Sequence, residues 1–401
     1  MLTSLALIFL FGLLLGGIFK KLHLPELTGM LLAGIILGPY ALNWLDGSIL
    51  AISADLRQIA LVIILIRAGL SLELDDLKRI GRPAVFMSFI PACFEMLATI
   101  LIAPRLFGIT LLEAALLAAV VASASPAVIV PRMINLIETG YGTKKLIPQL
   151  ILAGDSVDDI FNIVVFTALL GLSNGRQVSA LSFAVVPVSI VTGAGAGILA
   201  GLAFSLLFKR FHMRDSAKII VVLGVSFLLV AAEHITVFPF SGLLAVMTSG
   251  IILLKRLPDK AKRISTKLSK LWVGAQILLF VLVGASVNIK YAAGLNTILM
   301  LVFVLAVRAV GILLCLIKTN LTWRERLFCT FTGVPKATVQ AAIGGIPLAA
   351  GLPCGEIILA VAVVAILFTA PTGAFLLDFS YKRLLSKDYR SAEGGAPYDT
   401  Q

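Results

Sequence analysis

The chain alternates long apolar segments with short polar loops, and this pattern predicts an all-α polytopic membrane protein. A helix needs about 20 apolar residues to cross a bilayer, so we predict about thirteen transmembrane helices. They lie near residues 2–19, 25–43, 56–72, 83–104, 110–135, 146–172, 179–208, 217–235, 239–254, 271–287, 294–317, 325–349 and 354–378.

The composition supports this architecture. The chain has 401 residues, of which 59% are hydrophobic and 13% are charged, whereas soluble domains have about 25% charged residues. The formal net charge of +12 fits the basic cytoplasmic loops of membrane proteins better than nucleic-acid binding. No nucleotide-binding loop occurs in the sequence, which argues against an ATP-driven pump. No resident cofactor is expected.

The positions of the basic residues predict the orientation. About 25 of the 33 Lys and Arg residues follow odd-numbered spans or lie in the tail, and about four follow even-numbered spans. Because positive residues favour the cytoplasm, we predict an external N-terminus and a cytoplasmic C-terminus. The longest cytoplasmic loop, 255–270, has the spacing of an amphipathic surface helix. The polar tail, 386–401, is predicted to be cytoplasmic.

Two predicted helices contain breaks. The segment ASASPAVIVPRM, residues 122–133, contains Pro126 and Pro131, and the segment TGVPKATVQAAIGG, residues 332–345, contains Pro335. Interrupted helices in corresponding halves of a chain indicate the substrate site of an inverted-repeat transporter.

Three carboxylates lie in the apolar segment between these breaks. Asp155, Asp158 and Asp159 all belong to a stretch long enough to cross the bilayer, where each charge costs about 3 kcal/mol or more. Asp158 and Asp159 point about 100° apart on a helix. We therefore expect one to face a cavity and the other a basic partner. Two alternatives are open for Asp155. It lies either one turn nearer the cytoplasm, at the mouth of the cavity, where it attracts cations, or at the start of the helix as a solvated residue.

Neutral oxygens near the aspartates favour a hard monovalent cation. Ser123, Ser125 and the backbone around Pro126 offer such oxygens, as does Asn162. Oxygen ligands suit Na⁺ or Li⁺, and no Cys/His cluster is available for a transition metal. Asp158 and Asp159, with Ser125, are the predicted cation and proton ligands.

Further charges inside predicted spans are candidates for supporting or gating roles. Glu95 and Arg308 each lie deep in an apolar run, so they are predicted to pair with one another, although Asp158 is an alternative partner for Arg308. Lys336 follows the second break. It either neutralises the negative ends of the broken half-helices or reaches an aspartate.

A carboxylate that binds either a proton or a cation, but never both, couples their opposite movements. We therefore favour a Na⁺(Li⁺)/H⁺ antiporter over an enzyme, because no nucleophile–base pair is apparent. A K⁺/H⁺ antiporter, a sodium-coupled organic-solute symporter and an ion channel or sensor subunit are the alternatives. The adjacent aspartates disfavour an anionic substrate. The sequence also lacks the repeated filter-like segment that a channel would need.

The motifs GDSVDDI, SASPAVIVPRM and VPKATVQAAIG resemble those of cation/proton antiporters, in particular the NHA branch of Na⁺/H⁺ exchangers with its bacterial members. The resemblance implies inverted repeats with two crossing broken helices and elevator-like transport. By it, Asp159 is the principal carrier, Asp158 its companion, and Glu95 pairs with Arg308. An arginine in place of the lysine of electrogenic relatives leaves the stoichiometry open.

The same resemblance implies how the chain is organised and where it works. Residues 1–385 form one transmembrane unit. The helices near 83–172 and 294–378 are its core domain, and the remaining helices dimerise. The protein is expected to be a homodimer in the inner membrane of a bacterial cell, with monovalent cations, protons and the lipid bilayer as its partners.

Overall fold

Backbone donors and acceptors find no water inside a bilayer, so apolar segments satisfy them as helices. The computed structural model describes residues 1–71, 81–173, 182–235, 240–288 and 294–387, and the described residues are predominantly helical. The helices of the first half are α1 (Leu2–Lys21), α2 (Glu26–Leu37), α3 (Gly47–Ala51), α4 (Ser53–Ser71), α5 (Arg82–Met87), α6 (Ile90–Phe107), α7 (Leu111–Val121), α8 (Pro126–Thr139) and α9 (Ile147–Ser173).

The second half continues the same architecture. Its helices are α10 (Ser182–Arg210), α11 (Asp215–Ile235), α12 (Gly242–Arg256), α13 (Pro258–Ala285), α14 (Leu295–Cys315), α15 (Trp323–Thr332), α16 (Thr338–Ile343), α17 (Ile346–Ala349) and α18 (Gly355–Leu384). Every predicted span overlaps at least one of these helices. Within the described ranges, nine stretches are long and apolar enough to cross a membrane. The number of helices that do so stays a prediction.

Two sets of helices pack mainly among themselves. In the first, which we call the site group, α6 packs against α7 and α14, α9 packs against α7 and α8, and α15–α17 pack with α18 or α14. The second, the flanking group, contains α1, α2, α4 and α10–α13, with α13 against α2 and α4, and α12 against α4 and α10. The groups meet where α9 contacts α10 and α12, and where α2 contacts α18.

The flanking group is held by close backbone contact between α2 and α13. A Cβ at Gly34 would lie 1.9 Å from the Val281 carbonyl oxygen, and one at Gly284 would lie 2.2 Å from that of Leu31. Both distances are far below a van der Waals contact. Only glycine therefore permits these two helices to approach so closely.

The structure confirms a helix over most of the predicted loop 255–270 but corrects its boundary with the next span. Helix α13 begins at Pro258 and runs without a boundary to Ala285, so most of this segment forms the first turns of a longer helix. Ala261, Ile264 and Leu268 are fully buried. Their apolar stripe continues into the predicted span, and this shared buried face explains why the helix does not end at Lys270.

Candidate cation-binding site

Two interrupted helices meet at the centre of the site group. Residues 122–125 separate α7 from α8, and residues 333–337 separate α15 from α16. The Ser125 N–H donates to the Pro335 carbonyl at 2.9 Å, and the Thr338 N–H lies 3.4 Å from the Ser125 hydroxyl oxygen. Each break therefore supplies hydrogen-bond partners to the other.

Gln340 satisfies carbonyls at the end of α7. Its buried Nε2 lies 3.1 Å from the Val120 oxygen, 3.3 Å from that of Val121 and 2.9 Å from that of Ser123. The last carbonyls of a helix have no partners within it, and at membrane depth they need others. Gln340 is not among the site residues predicted from the sequence. The sequence feature that could have identified Gln340 is its amide side chain, the one amide in the second interrupted segment.

Asp158 is fully buried and surrounded by donors. Its Oδ2 accepts from the Ala124 N–H at 3.0 Å and from Arg308 Nη2 at 2.9 Å. Asn162 Nδ2 lies 3.3 Å from Oδ1 and donates to the Asp158 carbonyl at 2.7 Å. These contacts compensate the negative charge of Asp158 within the protein.

Asp159 has a different environment. The Ser123 hydroxyl donates a hydrogen bond to its Oδ1, and its side chain is only partly buried. Across the described part of the chain, no Lys or Arg forms a salt bridge with Asp159. The two adjacent aspartates therefore differ, as their angular separation on the helix requires.

A buried quartet of charges supports the aspartate helix. Arg308 Nη1 lies 3.0 Å from Glu95 Oε2, and Lys336 Nζ lies 2.7 Å from the same oxygen. Arg308 also contacts Asp158, so both of its alternative partners are bound at once. Lys336 has Glu95 as its partner, which neither alternative for this lysine had assigned. Two carboxylates and two cations make the quartet formally neutral, the condition under which buried charges are tolerated.

The position of Asp155 corrects the prediction made for it. Both alternatives placed this side chain in water, either at the cavity mouth or at a helix start. The structure leaves it 6% exposed, and its Oδ2 has no hydrogen-bond partner. Helix α9 begins at Ile147, about two turns earlier, so Asp155 lies within the helix and is covered by its neighbours.

The predicted ligand Ser125 is buried, but its hydroxyl oxygen faces the Thr338 N–H. The hydroxyl that contacts Asp159 is that of Ser123. Both serines lie in the first break, and the sequence pattern could not distinguish them, because side-chain directions in non-helical backbone follow no fixed period. Among the described residues, no three His, Cys, Asp or Glu side chains group as ligands for a metal ion.

A cavity of about 730 Å³ leads to Asp159. Pro126 and Thr338, from the two broken segments, line it beside the carboxylate. Arg67 and Trp272, from α4 and α13, belong to the opposite wall. The cavity thus lies between the site group and the flanking group. An ion that enters it reaches Asp159, whereas Asp158 and Asp155 are not among its lining residues.

Comparisons with known proteins agree on one family. The sequence pattern of the sodium/hydrogen exchanger, transmembrane family matches residues 5–378. The chain is 33% identical to sodium/hydrogen exchanger 9B2 of Mus musculus, covering 92% of this chain and 70% of that protein. It is 30% identical to sodium/hydrogen exchanger 9B1 of Homo sapiens, covering 91% and 73%.

The fold resembles that of a solved antiporter. The sodium proton antiporter MjNhaP1 from Methanocaldococcus jannaschii, determined at pH 8, superposes with a TM-score of 0.79 and 22% identity, covering 96% of this chain and 98% of that chain. At this identity the likeness concerns the fold. Together with the family match, it confirms the predicted Na⁺/H⁺ antiporter-like architecture. The chain is a multi-pass membrane protein of the sodium/hydrogen exchanger family, within the cation/proton antiporter superfamily, and it exchanges cations for protons.

Proposed function

We propose that the chain exchanges cytoplasmic Na⁺ or Li⁺ for external protons, with the cation and the proton competing for Asp159. Asp158 acts as its electrostatic companion. The single observation that carries this proposal is the contrast between the two aspartates. Asp158 is bound by Arg308 at 2.9 Å, whereas Asp159 lines the cavity with a hydroxyl as its hydrogen-bond partner.

Oxygen atoms around Asp159 suit a hard cation. The Asp159 carboxylate, which lines the cavity, and the buried Ser123 hydroxyl that contacts it together offer three oxygens. A desolvated Na⁺ or Li⁺ is compensated by one carboxylate, and so is a proton. Because one carboxylate cannot hold both at once, binding of either species displaces the other. The cation is transported cargo, and the proposal requires no resident cofactor.

We propose further that the site group is the moving core domain and the flanking group the dimerisation domain of a homodimer. Their separation by the cavity supports this division. In an elevator-like step, the site group carries Asp159 across the membrane relative to the flanking group. We propose that the present cavity opens to the cytoplasm, because Lys20, in a loop predicted to be cytoplasmic from its basic residues, lines it. The proposed location, a bacterial inner membrane, rests on the resemblance to bacterial members of the NHA branch.

Proteoliposomes that contain an internal pH dye test the ion specificity. We expect a fluorescence response on addition of Na⁺ or Li⁺, and a loss of that response in Asp159→Asn. A response to K⁺ alone would instead support K⁺/H⁺ exchange. Asp259→Asn is the matched control, because it makes the same chemical change at an exposed position at the start of α13. Exchange at the unmodified level in Asp159→Asn would contradict the site assignment.

A further inference from the structure

An ion pair lies on the site-group wall of the cavity. Arg132, on α8, contacts Asp378, on α18, in two places: Nε to Oδ1 at 2.9 Å and Nη2 to Oδ2 at 2.7 Å. Arg132 Nη1 also donates to the Val128 carbonyl at 2.9 Å. The side chains are 20% and 50% exposed, so water in the cavity reaches both. Such two-point geometry fixes the positions of both charges.

The opposite wall carries a second pair. Lys20, at the end of α1, lies 2.6 Å from Glu26, at the start of α2, and both side chains line the same cavity. The carboxylates at the mouth are therefore already paired, one on each wall. Asp159, which is less exposed than Asp378, has no basic partner among the described residues. Of the three carboxylates that line the cavity, Asp159 is therefore the one whose charge no basic side chain of the described residues compensates.

We propose that the Arg132–Asp378 pair sets the affinity of the transport site for its cytoplasmic cation by balancing the electrostatic potential of the cavity. This inference rests on the proposed function. Neither residue is a ligand of the transported ion. Asp378 offsets the repulsion that Arg132 exerts on an incoming cation, and Arg132 prevents Asp378 from retaining the cation at the mouth.

The spacing along α8 between Arg132 and Pro126, which lines the cavity together with Asp159, supports an effect of moderate size. Arg132 lies six positions after Pro126, the first residue of α8, which places it about 9 Å farther along the helix axis. At about this distance, a single charge in a water-filled cavity changes ion affinity by about threefold. Because the cavity is wet, raised ionic strength screens the effect.

The two partners are expected to have opposite effects when neutralised singly. Everted membrane vesicles that contain the full-length protein expose the cytoplasmic side, and exchange is recorded against Na⁺ concentration at fixed pH. Asp378→Asn leaves Arg132 uncompensated and raises the KM for Na⁺ about threefold. Arg132→Gln leaves Asp378 unpaired and lowers KM by about the same factor. The double variant returns KM to near the unmodified value, and kcat stays within about twofold throughout.

Control variants separate charge from structure. Arg132→Lys and Asp378→Glu keep the charges, so KM stays near the unmodified value. Lys145→Gln removes the cation of the Lys145–Glu325 pair. Glu325 is in the site group, but neither residue lines the cavity, so this variant leaves KM unchanged. Raising the ionic strength with a salt that is not transported shrinks the opposite shifts of the two neutralising variants.

Shifts of KM in the same direction for Arg132→Gln and Asp378→Asn would overturn the inference, since a merely structural pair is damaged by loss of either partner. Unchanged KM in both variants would overturn it as well. These outcomes are distinct from failure of the proposed function, in which the unmodified protein shows no Na⁺- or Li⁺-driven proton movement or Asp159→Asn retains it.

Discussion

Arg308 Nη2 lies 2.9 Å from Asp158 Oδ2, and this contact joins α14 to α9 across 150 positions of sequence. The same arginine contacts Glu95 on α6 at 3.0 Å. One guanidinium therefore links three helices of the site group. The fixed, planar donors of arginine allow it to hold two carboxylates at once, which a lysine in this position does not match. Asp159, the next residue in α9, is left out of this network.

The adjacent aspartates are expected to separate stability from transport. Asp158→Asn removes one negative charge from the buried quartet and lowers the free energy of unfolding by about 3 kcal/mol. Asp159→Asn abolishes exchange but leaves stability almost unchanged, because its partly exposed carboxylate compensates no basic side chain in the described structure. Thermal unfolding in detergent measures the first effect and proteoliposome exchange the second. Equal losses of Tm in both variants would contradict this division.

Glu95→Gln is expected to be strongly destabilising because Glu95 faces both Arg308 and Lys336. The variant leaves two buried cations opposite Asp158 alone, at a cost of about 3–5 kcal/mol. Adding Lys336→Met restores the balance of charge and should recover part of the lost Tm. If the double variant unfolds at a lower temperature than the single variant, the quartet is not held together by charge balance.

Two nearby serines provide a matched test of the cation ligands. Ser123→Ala removes the hydroxyl that contacts Asp159 and should raise the KM for Na⁺ severalfold, by about 1 kcal/mol of lost binding. Ser125→Ala removes a hydroxyl that faces the Thr338 N–H and should change KM much less. The Na⁺ dependence of exchange in proteoliposomes measures both. A larger rise in KM for Ser125→Ala would reverse the assignment.

Gln340→Leu is expected to lower Tm. The substitution keeps a similar volume, but two carbonyls at the end of α7 and one in the break after it lose their side-chain donor. Buried polar groups without partners cost about 1–3 kcal/mol each when nothing replaces the bond. Gln276→Leu, in the cavity wall on α13, is the control for replacing an amide by an apolar side chain. Equal Tm values for the two variants would show that the contacts of Gln340 do not support the break.

Competition at Asp159 predicts a defined pH dependence. Lowering the pH fills the carboxylate with protons, so the KM for Na⁺ rises by up to about tenfold per pH unit, while exchange at saturating Na⁺ is unaffected. Initial rates over a grid of pH and Na⁺ concentration test this. A KM that is constant across the acidic range would contradict binding at one shared carboxylate.

The alternation of long apolar segments with short polar loops was sufficient to predict the architecture, because a bilayer imposes a simple rule. Long apolar runs must be helices, and breaks such as those at Pro126 and Pro335 are tolerated where other groups satisfy the backbone. The predicted helix boundary after Lys270 was wrong because the amphipathic segment and the span after it share one buried face, to which Ile264 and Leu268 belong. A hydropathy average counts all residues of a window alike, so it does not show that one buried face continues through both segments.

The sequence by itself determined the class of protein, the aspartate helix and the unequal orientation of Asp158 and Asp159, since residue type and helical angle decide these. Only the tertiary structure decided that Arg308 binds both Glu95 and Asp158, that Ser123 is the hydroxyl beside Asp159, and that Asp155 is buried. These contacts join helices far apart in the chain. Their geometry depends on how those helices pack, which no local pattern of residues encodes.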